Sequence, residues 1–340
     1  MNKPIVIFRC DGNTVTGLGH VYRCIAIADM IADVFKGVFV SKDKTTIQNV
    51  VPQVYSVVEI PEGLELFNEA KWLQQNFNAG TIIIADGYNF NTEYQKSIKG
   101  AGFKLIYIDD LVSFDMHADV VINHTPGIDT TKYIRQDYTK IFSGIDYIIL
   151  RQKFLKHRAV DFSSRQKENS ILISMGGGDA NNITLKAVIA VLESGLFSRI
   201  DVLIGAAYRF KESLSQAAAE SSQIKIHSNL NEQQTYDLMN NCKAAIIPAS
   251  NTFFELLSLG VPCFCGYSAD NQVNIYKWAD SNQLVYSLGN LITTSADEIR
   301  NSITANYNSL LKKSETLNGY IDGKSGERIL NIVKGLNHVN

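Results

Sequence analysis

The chain has 340 residues, more than one hydrophobic core normally fills, so two domains are expected. Its 32 basic and 34 acidic residues nearly cancel, and 45% of the chain is hydrophobic; this suits two packed cores and excludes the basic surplus of a nucleic-acid binder. The apolar run 5–8 is cut by Arg9 and Asp11, and no stretch approaches the roughly 18 apolar residues of a membrane span, so no signal peptide, no membrane insertion and a cytoplasmic location are expected.

The first predicted strand, Ile5–Arg9, runs into Arg9-Cys-Asp-Gly-Asn-Thr-Val-Thr-Gly-Leu-Gly-His, and a helix follows from about His20 to Asp33. Gly12, Gly17 and Gly19 let the backbone approach a ligand closely. The helix start offers N–H groups to a phosphate or a polar sugar. The loop is not a dinucleotide fingerprint, because Tyr22 stands where the third glycine would fall. It is not a P-loop either, since no Gly-Lys-Ser/Thr follows. His20 is a candidate general base, because imidazole exchanges protons near neutral pH. It reads also as a helix cap. Asp11 suits orienting that histidine or holding a sugar hydroxyl, and Asp-Gly is also an ordinary turn. Arg23, one turn into the helix, suits an ion pair or a substrate contact.

Further strands are predicted at Gly37–Val40, Val57–Ile60, Thr81–Ala85, Lys104–Ile108 and Val120–Asn123. Thr81–Ala85 shows no polar alternation, as a parallel strand covered on both faces requires. Asp86-Gly-Tyr88 follows at its carboxyl end, making Asp86 and Tyr88 candidate substrate contacts; a plain strand-ending turn fits too. Asp109 and Asp110 close the next strand in the same way.

The polar, basic stretch from Arg151 to Asn169 reads as a boundary. It divides the chain into a first domain at 1–150, a linker at 151–168 and a second domain at 169–340 with a helical tail. The second half opens with a strand at Ile171–Ser174, then Met175-Gly-Gly-Gly-Asp179, then a helix over Asn182–Glu193. The glycine run, centred on Gly177, suits a backbone that passes close to a ligand, or a hinge. Strands are predicted at Asp201–Ile204, Ile224–His227, Ala245–Pro248 and Cys263–Gly266, with helices from about Ser295. Ser250, Asn251 and Thr252 stand at a helix start, where small polar side chains cap the helix and can hold a phosphate. Glu255, one turn in, suits a pair of ribose hydroxyls; paired with Thr252 it also fits a capping box. Gln272 and Asn274 open the next helix and are placed to reach the same ligand.

The pattern is α/β: two doubly wound, Rossmann-like domains facing across a cleft, with ligands at the carboxyl ends of the strands. Five scattered cysteines read as reduced, buried thiols. Cys263 and Cys265 lie two apart, but no second cysteine or histidine pair stands at zinc spacing, so neither a metal nor a cofactor is expected.

The order Ser250-Asn-Thr-Phe-Phe-Glu255, Gly260-Val-Pro262, Gln272-x-Asn274 resembles the nucleotide-binding half of glycosyltransferase-B enzymes, above all the peptidoglycan N-acetylglucosaminyltransferases. That resemblance implies that Glu255 holds a ribose and Ser250–Thr252 a diphosphate. Arg9-x-Asp11 and Gly17-x-Gly19-His20-x-x-Arg23-Cys24 resemble the UDP-sugar hydrolases of pseudaminic acid synthesis and the related spore-coat polysaccharide proteins. Asp86-Gly-Tyr88 and Ile173-Ser-Met-Gly-Gly-Gly-Asp179 fit the same group. The resemblance spans about residues 5–285 and implies hydrolysis of a UDP-linked 2,4-diacetamido-2,4,6-trideoxy sugar to free sugar and UDP, with inversion and with His20 as base. A UDP-sugar glycosyltransferase of the same fold, a UDP-GlcNAc 2-epimerase and a non-catalytic nucleotide-sugar sensor are the alternatives. A transferase calls for an acceptor cleft, often with a membrane-facing patch, and residues 1–150 show no strongly basic amphipathic helix.

Overall fold

The computed structural model describes residues 3–12, 17–156 and 169–337. Most of the predicted linker at 151–168 lies outside the described residues. The chain divides into two compact units, residues 1–152 with 324–340, and residues 153–323.

Among its described residues the first unit carries β1 (Ile5–Cys10), β2 (Lys36–Ser41), β3 (Ser56–Glu59), β4 (Ile82–Asp86), β5 (Lys104–Ile108), β6 (Val120–Asn123) and β7 (Lys140–Ser143). They form one parallel sheet in the order β3-β2-β1-β4-β5-β6-β7. Between them run α1 (Gly19–Ile31), α2 (Lys44–Gln48), α3 (Glu69–Asn76) and α4 (Thr92–Gly100). β4 is buried at every position, the apolar run Ile82–Ala85 as a strand covered on both faces requires and Asp86 at its end besides. Ile7, Ile83, Leu105 and Val121 meet Phe90, Tyr94 and Ile98 in one core.

After α5 (Gln152–Leu155), the second unit repeats the plan. Its strands are β8 (Ser170–Ile173), β9 (Arg199–Leu203), β10 (Ile224–His227), β11 (Ala244–Pro248), β12 (Cys263–Tyr267) and β13 (Val285–Asn290). They lie parallel in the order β10-β9-β8-β11-β12-β13. Its helices are α6 (Ile183–Ser194), α7 (Lys211–Glu220), α8 (Glu232–Asn241), α9 (Asn251–Ser258), α10 (Val273–Ser281), α11 (Ala296–Asn306) and α12 (Leu310–Leu317). Its core gathers Ile171, Val188, Val202, Ile246, Phe264 and Ile299.

The strands read from sequence stand within about two residues of the observed ones. Two edge strands, β7 and β13, go beyond them. Each is only partly buried, so neither shows the solid apolar run of a central strand. The tail also differs. The sequence reading keeps it with the second domain, but α13 (Ser325–Asn337) belongs to the first unit, where it packs on α1. It buries Ile329 and Val333, one turn apart on one face. All five cysteines are buried. No helix among the described residues is long and apolar enough to cross a membrane.

In each sheet the strand order reverses once, between β1 and β4 and between β8 and β11. Ligands of doubly wound sheets bind at this switch point, beside the carboxyl ends of the strands. The loops that follow these four strands are among those the sequence singles out.

Candidate active site

The β1 loop delivers His20 and Arg23 on the first turns of α1, and the end of β4 delivers Asp86. The register pairs Cys10 with Asp86, which sets the two loops side by side. His20 Nδ1 lies 2.7 Å from Asp86 Oδ1. It also lies 2.9 Å from an Arg23 guanidinium nitrogen, which cannot accept. That nitrogen already donates to Asp86 Oδ1 at 2.6 Å, while Arg23 Nε donates to Asp86 Oδ2 at 2.9 Å. A bare Nδ1 lone pair would face a fully buried carboxylate, so the proton is assigned to Nδ1, donating to Asp86. Nε2 then keeps the lone pair a general base needs.

Arg23 is itself buried, and its remaining terminal nitrogen donates to both oxygens of Asp110, at 2.7 and 2.8 Å. Its donors are thus committed to Asp86 and Asp110, which favours the ion-pair reading over the substrate-contact one. Tyr88 sets its ring edge-on to His20, 4.8 Å between centroids, and its hydroxyl donates to Asp110 at 3.3 Å. Tyr88 remains substantially exposed. Gly17 takes a left-handed φ of +81°, and Gly19 is the first residue of α1 with open space around it.

Asp110, which the sequence brought forward only as closing its strand in the way Asp86 does, joins this cluster, and so does His124, which the sequence did not single out. Both follow a strand at its carboxyl end, β5 and β6, which is the signal that marked Asp86. His124 Nε2 stands 3.4 Å from Arg23 and 3.7 Å from Asp110. Burial and then the Arg23 charge push His124 down to about 4, against the pull of Asp110. Arg23 holds Asp110, despite burial, down at about 2. The native state therefore keeps His124 neutral, while an unfolded chain protonates it below about pH 6.5. Stability supplied by this site is present above that pH and is lost as pH falls from about 6.5 to 4, by about 3 kcal/mol. Asp110 adds slope only below about pH 3.8. Urea unfolding of the first unit, followed from pH 7 to pH 4.5, should weaken less steeply in His124→Gln than in the wild type. Equal slopes would refute the assignment.

Asp11 stands elsewhere. Its Oδ1 lies 2.8 Å from an Arg9 nitrogen and accepts from Ser41 Oγ at 3.0 Å and the Lys42 amide at 2.9 Å. No contact joins Asp11 to His20 among the described residues; Asp86 takes the orienting place that the sequence reading offered to Asp11.

In the second unit Ser250 is the N-cap residue of α9, which makes Asn251 and Thr252 its first two helical residues. Glu255 is the fifth, buried, and two residues beyond the position of a capping-box glutamate. The capping-box reading of Thr252 and Glu255 is therefore overturned. The exposed turn Gly176–Gly178 follows β8. A side chain on Gly205 would strike the Gly177 carbonyl at 2.4 Å, and the Ala207 amide donates to that same carbonyl. The β9 loop so pins the glycine turn. Gln272 caps α10 and accepts from the Ser268 amide at 2.8 Å; Asn274 follows on the first turn, exposed. Among the described residues no group of three His, Cys, Asp or Glu side chains is arranged to hold a metal ion.

Two doubly wound parallel sheets, each with its candidate loops at the switch point, define the glycosyltransferase-B fold. Solved structures agree over nearly the whole chain. MurG of Acinetobacter baumannii superposes with a TM-score of 0.65 at 12% identity, covering 98% of this chain and 99% of that one. A Medicago truncatula UGT solved with UDP-glucose gives 0.68 at 10% identity, covering 98% of each. No family model matches the chain. Curated relatives bear out the resemblance read from the motifs. The UDP-2,4-diacetamido-2,4,6-trideoxy-beta-L-altropyranose hydrolase of Campylobacter jejuni is 24% identical over 263 residues, 75% of this chain and 88% of that protein. The spore coat polysaccharide biosynthesis protein SpsG of Bacillus subtilis is 25% identical over 225 residues, 65% of this chain and 66% of that protein. An uncharacterised protein of Methanocaldococcus jannaschii is 27% identical over 278 residues, and the match covers 78% of this chain but only 56% of that relative.

Proposed function

We propose that the chain hydrolyses a UDP-linked 2,4-diacetamido-2,4,6-trideoxy sugar to free sugar and UDP, in nonulosonic acid synthesis. The observation that carries this reading is His20 Nδ1 at 2.7 Å from the buried Asp86 carboxylate, and the tautomer assigned from it leaves Nε2 as acceptor. His20 Nε2 takes a proton from water as that water attacks the anomeric carbon. The imidazolium that forms stands against the Asp86 carboxylate. UDP leaves from the opposite face, so the configuration inverts, as in other single displacements by water. UDP is a weakly basic leaving group and needs no separate acid. Its diphosphate is assigned to the start of α9 at Ser250, Asn251 and Thr252 and to the Gly177 turn, where backbone N–H groups meet anions. Glu255 is assigned to the ribose, with Gln272 and Asn274 on the same nucleotide. Gly17, Gly19 and Tyr88 are assigned to the sugar.

The purified protein should release UDP from such a UDP-sugar with water as the only acceptor. A panel of UDP-sugars, read by UDP release, tests this. Release that requires an added sugar or lipid would favour a transferase, and binding without release a sensor.

Glu255→Ala should weaken UDP binding by about tenfold to a hundredfold, or about 1.5–3 kcal/mol for a hydrogen bond to a charged group. Glu255 stands two residues past the capping-box position of α9, so the larger change is expected in affinity rather than in the melting temperature. Calorimetric titration of UDP beside a thermal melt checks both. Unchanged affinity with a lowered melt would sink the ribose assignment.

A further inference from the structure

We infer that Arg23 and Asp110 are positioning residues that select the tautomer of His20, Asp110 acting through Arg23. This rests on the reading of His20 as the base. The geometry is poised between two arrangements. One Arg23 nitrogen lies 2.6 Å from Asp86 Oδ1 and 2.9 Å from His20 Nδ1. Aimed at Asp86, it leaves Nδ1 free to carry its own proton and to donate to the carboxylate. That nitrogen carries two protons, and were the guanidinium to turn and aim one of them at Nδ1, it would force the ring proton to Nε2, where no base would remain.

Asp110 decides between them. It grips the far side of the guanidinium through both carboxylate oxygens, 2.7 and 2.8 Å from one nitrogen. A planar guanidinium held at that corner keeps Nε and the other terminal nitrogen on Asp86 as a two-pronged pair. The same carboxylate accepts from the Tyr88 hydroxyl at 3.3 Å, and Tyr88 borders the His20 ring edge-on. Asp110 thus restrains both groups that flank the imidazole. His124 closes the far side, neutral, so its charge does not compete for Asp110. The charged and titratable groups around His20 are then Asp86 from β4, Arg23 from its own helix, Asp110 after β5 and His124 after β6, with Tyr88 from the β4 loop.

Histidine ring nitrogens report their protonation directly in long-range proton–nitrogen NMR spectra. The full chain labelled with ¹⁵N-histidine supplies the sample, and the signal lost in His20→Asn assigns the ring. Wild-type His20 should be the Nδ1–H form. Asp110→Asn should shift it toward Nε2–H, and Asp110→Glu should restore much of the wild-type signal. Arg23→Lys, which offers one point donor in place of the fork, should also mix the two forms. On whichever UDP-sugar of the panel is hydrolysed, Asp110→Asn should lower turnover by about 10²-fold with KM near wild type, as a misaligned base does. Nε2–H in the wild type overturns the inference. So does an unchanged tautomer in folded Asp110→Asn. Loss of folding in both Asp110→Asn and Arg23→Lys overturns it as well, in favour of a purely structural ion pair. Failure of every UDP-sugar in the panel would instead remove the hydrolase reading and leave the tautomer result standing.

Discussion

His20→Asn is expected to lower turnover at saturating substrate by about 10²-fold or more, on the order of 3 kcal/mol in the barrier, because a positioned base contributes about 10²–10⁴-fold. Asparagine keeps a polar group at the start of α1 and can still meet Asp86, so the fold and the substrate affinity should change little. Turnover and substrate dissociation, measured separately on the variant, decide the matter. Weaker binding with intact turnover would make His20 a ligand of the sugar or phosphate and move the search for a base to Asp11. Asp11 has two backbone or hydroxyl donors and one guanidinium on a single oxygen. Those contacts hold its charge below the ordinary range against burial, which suits a structural carboxylate better than a proton acceptor.

Much of this was legible in the chain because buried parallel strands announce themselves. Ile82–Ala85 has no polar residue to hide, so the strand and the start of the loop after it could be placed. The glycine-rich turn before His20 and the Ser250–Thr252 helix start were visible for the same reason: each breaks an apolar run with residues that expose backbone. What could not be read was which loops become neighbours. Arg23, Asp86, Asp110 and His124 come together only because β1, β4, β5 and β6 are consecutive in the sheet. Sequence order alone puts β2 and β3 between the first two. The capping-box reading of Glu255 failed on a two-residue shift of the N-cap, from Thr252 to Ser250, a matter of backbone geometry. The placement of α13 was hidden because an amphipathic tail carries no mark of which sheet it will cover.

The largest stability effect is expected at Glu69, a residue the sequence did not bring forward. Arg9, next to last in β1, has its side chain wholly buried, and Glu69, the first residue of α3, is buried against it. Nε donates to Oε2 at 2.8 Å and a terminal nitrogen to Oε1 at 3.0 Å, a fork-to-carboxylate pair. The Phe90 ring lies 4.9 Å from the guanidinium carbon, and Lys42 reaches Glu69 only from the rim, at 3.6 Å. Breaking one side of such a pair leaves a charge in a dry site, at a cost of about 3–5 kcal/mol, far beyond what an exposed pair supplies. Glu69→Gln keeps the shape and removes the charge. It should therefore destabilise the first unit by about 3 kcal/mol, the lower end of that range because Arg9 retains Asp11 at 2.8 Å. Replacing both partners with apolar residues, Arg9→Met with Glu69→Leu, should recover most of the loss, since no charge is then left buried. Urea unfolding of the first unit, with the double variant beside both single ones, measures the coupling between them. A loss below about 1 kcal/mol in Glu69→Gln would mean that Asp11 and Lys42 suffice for Arg9. A double variant as weak as the single ones would mean that the pair is needed for its geometry. In that case the Arg9-x-Asp11 signature would act by fixing the loop that carries His20.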